Sequence, residues 1–292
     1  MATTAVLLTG IGLVVNVIST TGIGNTFSLM VNDWAGGSLF VMLLLVAVAS
    51  LILGMGLPVT ASYIVLGTFC PAIYGLIAEQ QLLDLLASGQ LPEEAKTIFM
   101  LVAPDQLAAL GAPMSFESAI ELLGKVPEDF KATLLEQSLG PATVGLALLS
   151  AHLIIFWLSQ DSNVTPPVCL TAFAAATIAR TPPMATGFTA WKIAKGLYLV
   201  PLLMAYTPLV AGDFEQVVVI TVFAIIGVWA LIAGLEGYLE GPINILLRAV
   251  AFGLGVLMMW PGLDLFIRIA AAVAFGLLVV YSSRNGAQPS PA

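Results

Sequence analysis

The sequence predicts an all-α polytopic membrane protein, and three observations support this fold class. First, 59% of the 292 residues are hydrophobic and only 9% are charged, with a mean hydropathy of +1.03. A soluble domain carries roughly 25% charged residues, so a soluble fold is excluded. Second, the chain contains a series of apolar runs, several of them near the about 20 residues that a membrane-crossing helix needs. Third, two short polar segments interrupt these apolar runs.

The apolar runs define the predicted organisation of the chain. They cover about 4–20, 37–56, 61–78, 142–159, 168–179, 193–211, 216–235, 245–260 and 263–282. We therefore predict an N-terminal membrane helix and loop (1–36), a helical hairpin (37–78), an extracytoplasmic, mostly helical excursion (79–139), a discontinuous helix (140–180), C-terminal transmembrane helices (181–282) and a disordered tail (283–292).

The excursion is the only sizeable polar region. Ten acidic residues lie between Glu79 and Glu136, against three lysines. Pro92, Ser115 and Pro127 each precede an acidic or amphipathic segment, and proline and serine are preferred where a helix begins. We therefore expect three helices to begin just after these residues.

Basic residues in short connections predict the orientation, because cytoplasmic connections are enriched in lysine and arginine. Such residues border three connections: Arg180, Lys192 and Lys195 flank the first, Arg248 borders the second, and Arg284 follows the last helix. We place the 180–192 connection, the 236–247 turn and the C-terminus in the cytoplasm. The excursion is then outside if 142–179 crosses once. Arg268 is the one exception to this alternation.

The first interruption is Gly54-Met-Gly-Leu-Pro-Val-Thr60. Glycine allows backbone torsions that are closed to other residues, and Pro58 ends one helical arm. Thr60 and Ser62 offer hydroxyl groups near the start of the next arm. The segment is either part of a binding site or simply a kink or a tight turn between two spans.

The second interruption is Asp161-Ser-Asn-Val-Thr-Pro-Pro167. Tandem prolines remove two N–H donors and push the preceding residue away from helical torsions. We expect one helix to end near Gln160 and the next to begin near Pro167. At membrane depth such an opening is tolerated only inside protein or along a wet cavity.

The composition of this break indicates a chemistry. Ser162, Asn163 and Thr165 supply neutral oxygens, which suit a hard monovalent cation such as sodium. The free N–H groups of the following helix favour a carboxylate or another anion. A pair of such openings in one chain is the pattern of a secondary transporter site.

Two single residues need separate interpretation. Asp161 is the only acid between 137 and 212, and an intramembrane acid is a functional hypothesis by default. It either ligates a cation, relays a proton or anchors the broken helix, or it only caps the opened backbone. His152 is the only histidine, and we interpret it as a packed, hydrogen-bonded residue rather than a ligand.

Other functional classes lack support. We find no zinc-protease motif, nucleophile elbow, phosphate loop or glycine fingerprint, so we predict that the chain is not an enzyme and needs no cofactor besides a coupling ion. Without a basic patch, no nucleic-acid partner is expected. Cys70 and Cys169 lie in apolar runs and are predicted to be small buried hydrophobes.

Both interruptions resemble motifs of one transporter family. Leu53-Gly-Met-Gly-Leu-Pro-Val-Thr-Ala-Ser-Tyr63 and Asp161-Ser-Asn-Val-Thr-Pro-Pro-Val-Cys-Leu-Thr-Ala172 resemble the large membrane subunit of tripartite ATP-independent periplasmic (TRAP) transporters. The segment Ala179–Trp191, followed by Val200-Pro201, is similar to the fused-permease, TAXI-type branch. The resemblance covers roughly 35–80 and 140–212.

The resemblance implies a sodium-driven elevator importer in a bacterial inner membrane. It would take an organic acid or similar solute from a soluble extracytoplasmic binding protein. The first interruption would be the tip of a re-entrant hairpin, and the second the break of a discontinuous helix. We expect ion binding by Gly56, Pro58, Thr60, Ser162, Asn163 and Thr165, of which the last three are the expected sodium ligands. We expect substrate binding by Ser62, Asp161, Pro166 and Pro167.

The chain departs from the family pattern in one respect. The family's large subunit has two inverted repeats, each with a hairpin and a broken helix, and only one set is recognisable here. The chain therefore resembles the C-terminal half of a fused permease. Its expected partners are the remaining half with the first repeat, a small four-helix membrane segment, the binding protein and membrane lipid. The alternatives are a non-transporting scaffold subunit or remnant half-permease, and a proton- or cation-coupled protein of another family with Asp161 as proton carrier.

Overall fold

A computed structural model describes residues 33–102 and 110–285, together with residue 104 and scattered positions before residue 32. The predicted N-terminal membrane helix falls mostly outside the described residues. The predicted disordered tail does so from residue 286 onwards. The chain forms two compact units, residues 1–171 and 172–292.

The described part of the chain is helical and contains no strand, which confirms the all-α prediction. The α-helices are α1 (Leu39–Gly54), α2 (Val59–Leu66), α3 (Cys70–Ser88), α4 (Glu93–Val102), α5 (Phe116–Gly124), α6 (Glu128–Ser159), α7 (Leu170–Ala179), α8 (Pro183–Ile193), α9 (Val200–Tyr206), α10 (Phe214–Glu236), α11 (Ile245–Met259) and α12 (Leu265–Asn285). Short 3-10 turns occupy Gly67–Phe69, Gln160–Asn163 and Ala194–Tyr198.

Within the described residues, four helical stretches are long and apolar enough to cross a membrane. They are Val59–Ser88, Asp129–Asn163, Phe214–Glu236 and Leu265–Arg284. The apolar helices α1, α7 and α11 are shorter. A multi-pass membrane protein, as predicted from composition, follows from these spans.

The first interruption forms a tight turn between α1 and α2. The backbone N–H groups of Gly56 and Leu57 both donate to the carbonyl of Leu53, at 3.0 and 2.8 Å. α2 packs against α1 and continues through the turn Gly67–Phe69 into α3. Helix therefore extends to Ser88, beyond the predicted apolar run, because the glutamines, leucines and alanines of this segment are good helix formers.

The described residues of the excursion enclose a hydrophobic core of their own. The end of α3, helices α4 and α5, the first turns of α6 and the connections between these helices contribute Leu82, Leu86, Leu91, Phe99, Leu110, Leu122, Leu123 and Leu134 to it. The three predicted helix starts are confirmed, since α4, α5 and α6 begin directly after Pro92, Ser115 and Pro127. Ser115 Oγ accepts a hydrogen bond from the backbone N–H of Ser118 at 3.2 Å, as expected of an N-cap.

A kink separates the excursion from the apolar part of α6. Gly140 has φ 72° and ψ 162°, far from helical values, and it precedes Pro141. Proline disfavours helical torsions in the residue before it, and glycine tolerates a positive φ. The kink at Gly140 therefore separates the first turns of α6, which belong to the excursion, from the apolar remainder of the helix.

The second unit is built on α10, α11 and α12. Its core includes Phe223, Ala230, Ala251, Met258 and Phe275. At Gly255, a Cβ atom would lie 2.8 Å from the carbonyl oxygen of Gly227. Small residues at such crossings let membrane helices approach closely. Arg248 closes the end of α10 by donating from Nε to the carbonyl of Gly234 at 2.9 Å and from Nη2 to that of Leu235 at 2.6 Å.

One predicted run is not a continuous helix. Residues 193–211 were expected to form a membrane helix, but the structure divides them among the end of α8, the turn Ala194–Tyr198, α9 and a non-helical segment after Tyr206. Pro201 and Pro208 explain the interruptions, because proline is accommodated at the first turn of a helix and disrupts its interior. The apolar run 193–211 is therefore not one continuous helix.

Candidate functional site

The two interruptions meet in the first unit. Gly54, the last residue of α1, lies against the backbone of the second break. A Cβ atom on Gly54 would be 3.2 Å from the backbone N of Ser162 and 3.4 Å from the carbonyl carbon of Asp161. The turn Gln160–Asn163 packs against both α1 and α2. Two segments more than 100 residues apart in the chain therefore form one structural junction.

Hydrogen bonds to α6 hold both arms of the hairpin near this junction. The hydroxyl of Ser50 on α1 donates to the carbonyl of Leu158 at 2.7 Å, and the bond is buried. The hydroxyl of Tyr63 on α2 and Nδ1 of His152 share a hydrogen bond of 3.1 Å. The Tyr63 ring also packs edge-on against Phe156, with ring centroids 6.1 Å apart. His152 is hydrogen-bonded, as predicted, but the residue is exposed rather than packed in a core.

Asp161 organises the opened backbone of the second break. Its carbonyl oxygen accepts from the N–H groups of Val164 and Thr165, at 3.1 and 2.9 Å. Its Oδ1 accepts from the hydroxyl of Thr165 at 2.7 Å, and both side chains are buried. The carboxylate and the threonine therefore close a tight loop just beyond α6. This geometry fits both the anchoring role and the simple capping role considered for Asp161.

Asn163 bridges the break. Its Nδ2 donates to Oε1 of Gln160 at 3.1 Å, and its Oδ1 accepts from the hydroxyl of Thr171 at 3.1 Å. Asn163 thus joins the end of α6 to the first turn of α7. Sequence reasoning did not single out Thr171. Its position just past the break, within the first turn of an apolar helix, was the available signal.

The second helix of the break begins later than predicted. It was expected near Pro167, but α7 begins at Leu170. Asp161 closes a turn over residues 161–165, and the chain stays non-helical from 166 to Cys169 before α7 begins. The Pro166–Pro167 peptide bond is cis. Pro166 is buried and Pro167 is exposed.

Two buried hydroxyl groups stand out at this junction. Ser62 on the hairpin and Ser162 in the break are both buried, and within the described part of the chain neither Oγ atom has a hydrogen-bond partner. A buried polar group left unpaired costs about 1–3 kcal/mol. Such groups in a folded protein require an explanation, such as an ion or a ligand. Ser62 lies just past the first interruption, and Ser162 lies within the second.

The remaining predicted site residues differ in their exposure to solvent. Gly56, Pro58 and Thr60 are exposed on and beside the hairpin turn, whereas Asn163 is half-buried. Among the described residues no three His, Cys, Asp or Glu side chains cluster as metal ligands. The side-chain oxygens of the junction come instead from hydroxyls, one amide and the Asp161 carboxylate.

Comparison with known proteins gave one family match. A protein-family model described as "Tripartite ATP-independent periplasmic transporter, DctM component" matches residues 1–226. The matched span contains both interruptions and the excursion between them. No curated protein and no solved structure was found to match the chain.

Proposed function

Because the chain belongs to the DctM component family of tripartite ATP-independent periplasmic transporters, we propose that it is the permease part of a sodium-coupled importer of an organic acid or similar solute. That family consists of transporter permeases, so the chain is not an enzyme. Membership also implies association with a periplasmic solute-binding protein and with other membrane subunits.

The observation that carries the proposal is the junction of the two interruptions. Ser62 on α2 and Ser162 in the break each carry a buried hydroxyl oxygen without a hydrogen-bond partner. Thr165 and Asp161 add a hydroxyl and a carboxylate that are already hydrogen-bonded to each other. Hard cations prefer oxygen ligands of this kind. We propose that Ser162, Asn163 and Thr165 bind the sodium ion. Gly56, Pro58 and Thr60 would contribute to ion binding from the hairpin.

The solute is proposed to bind beside the ion. Asp161, Pro166 and Pro167 belong to the opened backbone, and Ser62 lies on α2, which packs against the turn Gln160–Asn163. The first N–H groups of α7 carry the positive end of the helix dipole and favour a carboxylate. An anionic solute and a cation would then occupy the same break and stabilise each other, which couples their transport.

The proposal also includes three features of the family: the hairpin, the transport mechanism and the part of the permease to which the chain corresponds. We infer that residues 37–78 form a re-entrant hairpin, that transport follows an elevator mechanism, and that the chain corresponds to the C-terminal half of a TAXI-type fused permease. The first repeat and a four-helix segment would then come from further permease sequence. The bacterial inner membrane is the expected location. A chain that only scaffolds the assembly, or that uses protons, remains the competing proposal.

Uptake by proteoliposomes tests the function directly. The chain is reconstituted with the remaining permease sequence and the binding protein, and solute uptake is measured under an inward sodium gradient or an equal choline gradient. Sodium should drive uptake. Asn163→Ala and Thr165→Ala should raise the sodium concentration for half-maximal uptake about tenfold, the equivalent of one lost interaction of about 1.4 kcal/mol. Thr177→Ala is the matched control, because Thr177 bonds only within α7.

The same assay separates the alternatives. Uptake that is indifferent to sodium, with both variants silent, would remove the sodium proposal. Loss of uptake in Asp161→Asn at every sodium concentration, together with dependence on a proton gradient, would favour proton coupling. No uptake from a correctly assembled complex would favour a scaffold.

A further inference from the structure

Arg268 breaks the predicted alternation of charge, and the structure gives this residue a specific setting in the second unit. It lines a cavity of about 440 Å³ where α10 and α12 begin. Asp213, Glu215 and Gln216, from the start of α10, line the same cavity together with three apolar side chains. The volume falls within the roughly 300–1,000 Å³ typical of pockets for small ligands.

The guanidinium of Arg268 is held in place but has donors to spare. Its Nη2 donates to the carbonyl of Trp260 at 2.9 Å. Within the described part of the chain that carbonyl is its only acceptor, and its Nε is shielded without a partner. Arginine carries five N–H donors in a fixed fork that matches phosphate and carboxylate oxygens. A guanidinium that makes one hydrogen bond and keeps other N–H donors unpaired is suited to bind an anion.

The opposite charge lies at the first turn of α10. The backbone N–H of Asp213 donates to Oε1 of Gln216 at 3.3 Å, which holds this turn. Although Asp213 and Glu215 line the cavity, no ion pair within 4.0 Å joins either of these described residues to Arg268. The cavity therefore presents separated positive and negative groups. Its ligand should carry an anionic and an ammonium group at once.

The surroundings identify the kind of molecule. α10 and α12 both begin at the cavity, and both are long and apolar enough to cross a membrane. Exposed aromatic residues adjoin the lining residues along the chain or bond to one of them: Phe214 is 85% exposed, Phe266 77%, and Trp260, whose carbonyl accepts from Arg268, 59%. Tryptophan is enriched at the level of the lipid headgroups, because its amphipathic ring suits that interface. The cavity is thus expected at the membrane surface.

We propose that this cavity binds the phosphoethanolamine headgroup of a membrane phospholipid. Arg268 takes the phosphate, Asp213 and Glu215 take the ammonium, and the aromatic side chains contact the upper acyl chains. The proposal goes beyond transport, since none of these residues belongs to the junction of the two interruptions. It also explains a basic residue placed one turn inside an apolar helix on the side that the charge pattern predicts to be extracytoplasmic.

Lipid retention by the purified full chain tests this inference. The protein is titrated with phosphatidylethanolamine, phosphatidylglycerol or phosphatidylcholine of identical acyl chains, and bound lipid is counted by native mass spectrometry. Phosphatidylethanolamine should bind about tenfold more tightly than the other two, because only it offers both a phosphate and an N–H-bearing ammonium. Arg268→Gln should weaken its binding about tenfold. Arg284→Gln, at the other end of the same helix, is the matched control and should change nothing.

Glu215→Gln provides a second variant that does not depend on a buried group. Glu215 is exposed, so its loss should leave folding intact. It should weaken phosphatidylethanolamine binding and leave phosphatidylglycerol binding unchanged, with exposed Glu240→Gln as control. Equal retention of all three lipids, or variants that bind like the parent chain, would overturn the proposal. Equally tight binding of free phosphoethanolamine would refute a lipid as the ligand.

Discussion

Gly54 lies against the backbone of the second break, and the lack of a side chain at this position allows α1 and the break to approach closely. A Cβ atom there would already press on the backbone N of Ser162 at 3.2 Å. Gly54→Leu should therefore force α1 away from the break and lower the free energy of unfolding by about 1–3 kcal/mol, the usual effect of overpacking. Thermal unfolding of the purified protein measures this. Gly75→Leu is the control, because a Cβ atom there has nothing within 4 Å. Equal Tm values for the two variants would contradict the close approach.

The bond between Thr165 and Asp161 gives a second prediction for single residues. Thr165→Val keeps the shape of the side chain but removes the hydroxyl that donates to Oδ1 of Asp161 at 2.7 Å. A buried carboxylate that loses a donor should cost about 1–3 kcal/mol or more of stability. Thr165→Ser retains the donor and should unfold close to the parent Tm. A valine variant as stable as the serine variant would show that the bond contributes nothing.

Sequence reasoning found the residues of the break but not their pairing. Ser162, Asn163 and Thr165 were identified because polar oxygens inside an apolar run are unusual. Their partners were not foreseeable, since Thr165 bonds within the loop whereas Asn163 reaches Thr171 across it. Such pairings depend on the torsions of the opened backbone, which residue type alone does not specify.

At the scale of elements, the stability of the excursion depends on the residue that ends α3. Gly89 has φ 70°, and a Cβ atom on it would lie 2.7 Å from the carbonyl carbon of Ala112. Gly89→Ala should combine a left-handed backbone, which costs roughly 1–2 kcal/mol for other residues, with a clash against fixed backbone. The packing of α5 on α3, and with it the core that α4 shares, should then open more often.

Limited trypsin digestion measures that opening. Cleavage after Lys96 and Lys125 should become about tenfold faster for each 1.4 kcal/mol lost, when cleavage tracks the open population. Gly111→Ala is the control, because a Cβ atom on Gly111 has open space around it and its φ is not positive. Unchanged digestion of the Gly89 variant would show that this contact does not hold the excursion together.

Helix starts were more predictable than helix continuity. Ser115 and the prolines at 92 and 127 act locally, so the starts of α4, α5 and α6 could be read directly from the sequence. The run 193–211 looked continuous by hydropathy, yet it is broken at several points. Hydropathy reports where a segment prefers to lie, whereas proline and local packing decide whether its backbone stays helical.

At the scale of the whole molecule, orientation in the membrane is the main prediction. The acidic excursion is expected outside and the turn between α10 and α11 in the cytoplasm, following the basic residues of the short connections. In spheroplasts, Glu117→Cys should react with a membrane-impermeant maleimide, whereas Glu240→Cys should react only after lysis. Cys70 and Cys169 are buried and should give little background. The reverse labelling pattern would invert the proposed topology.

The sequence by itself determined the membrane class, the two interruptions and the oxygen-rich chemistry of the second. Each is a local or compositional property, because solvation by lipid and the torsional limits of proline and glycine act on residues wherever they lie. Only the tertiary structure decided that Gly54 lies against Ser162, that Ser50 and Tyr63 fix the hairpin on α6, and that Arg268 shares a cavity with Asp213. These contacts join residues far apart in the chain, and they depend on how helices pack.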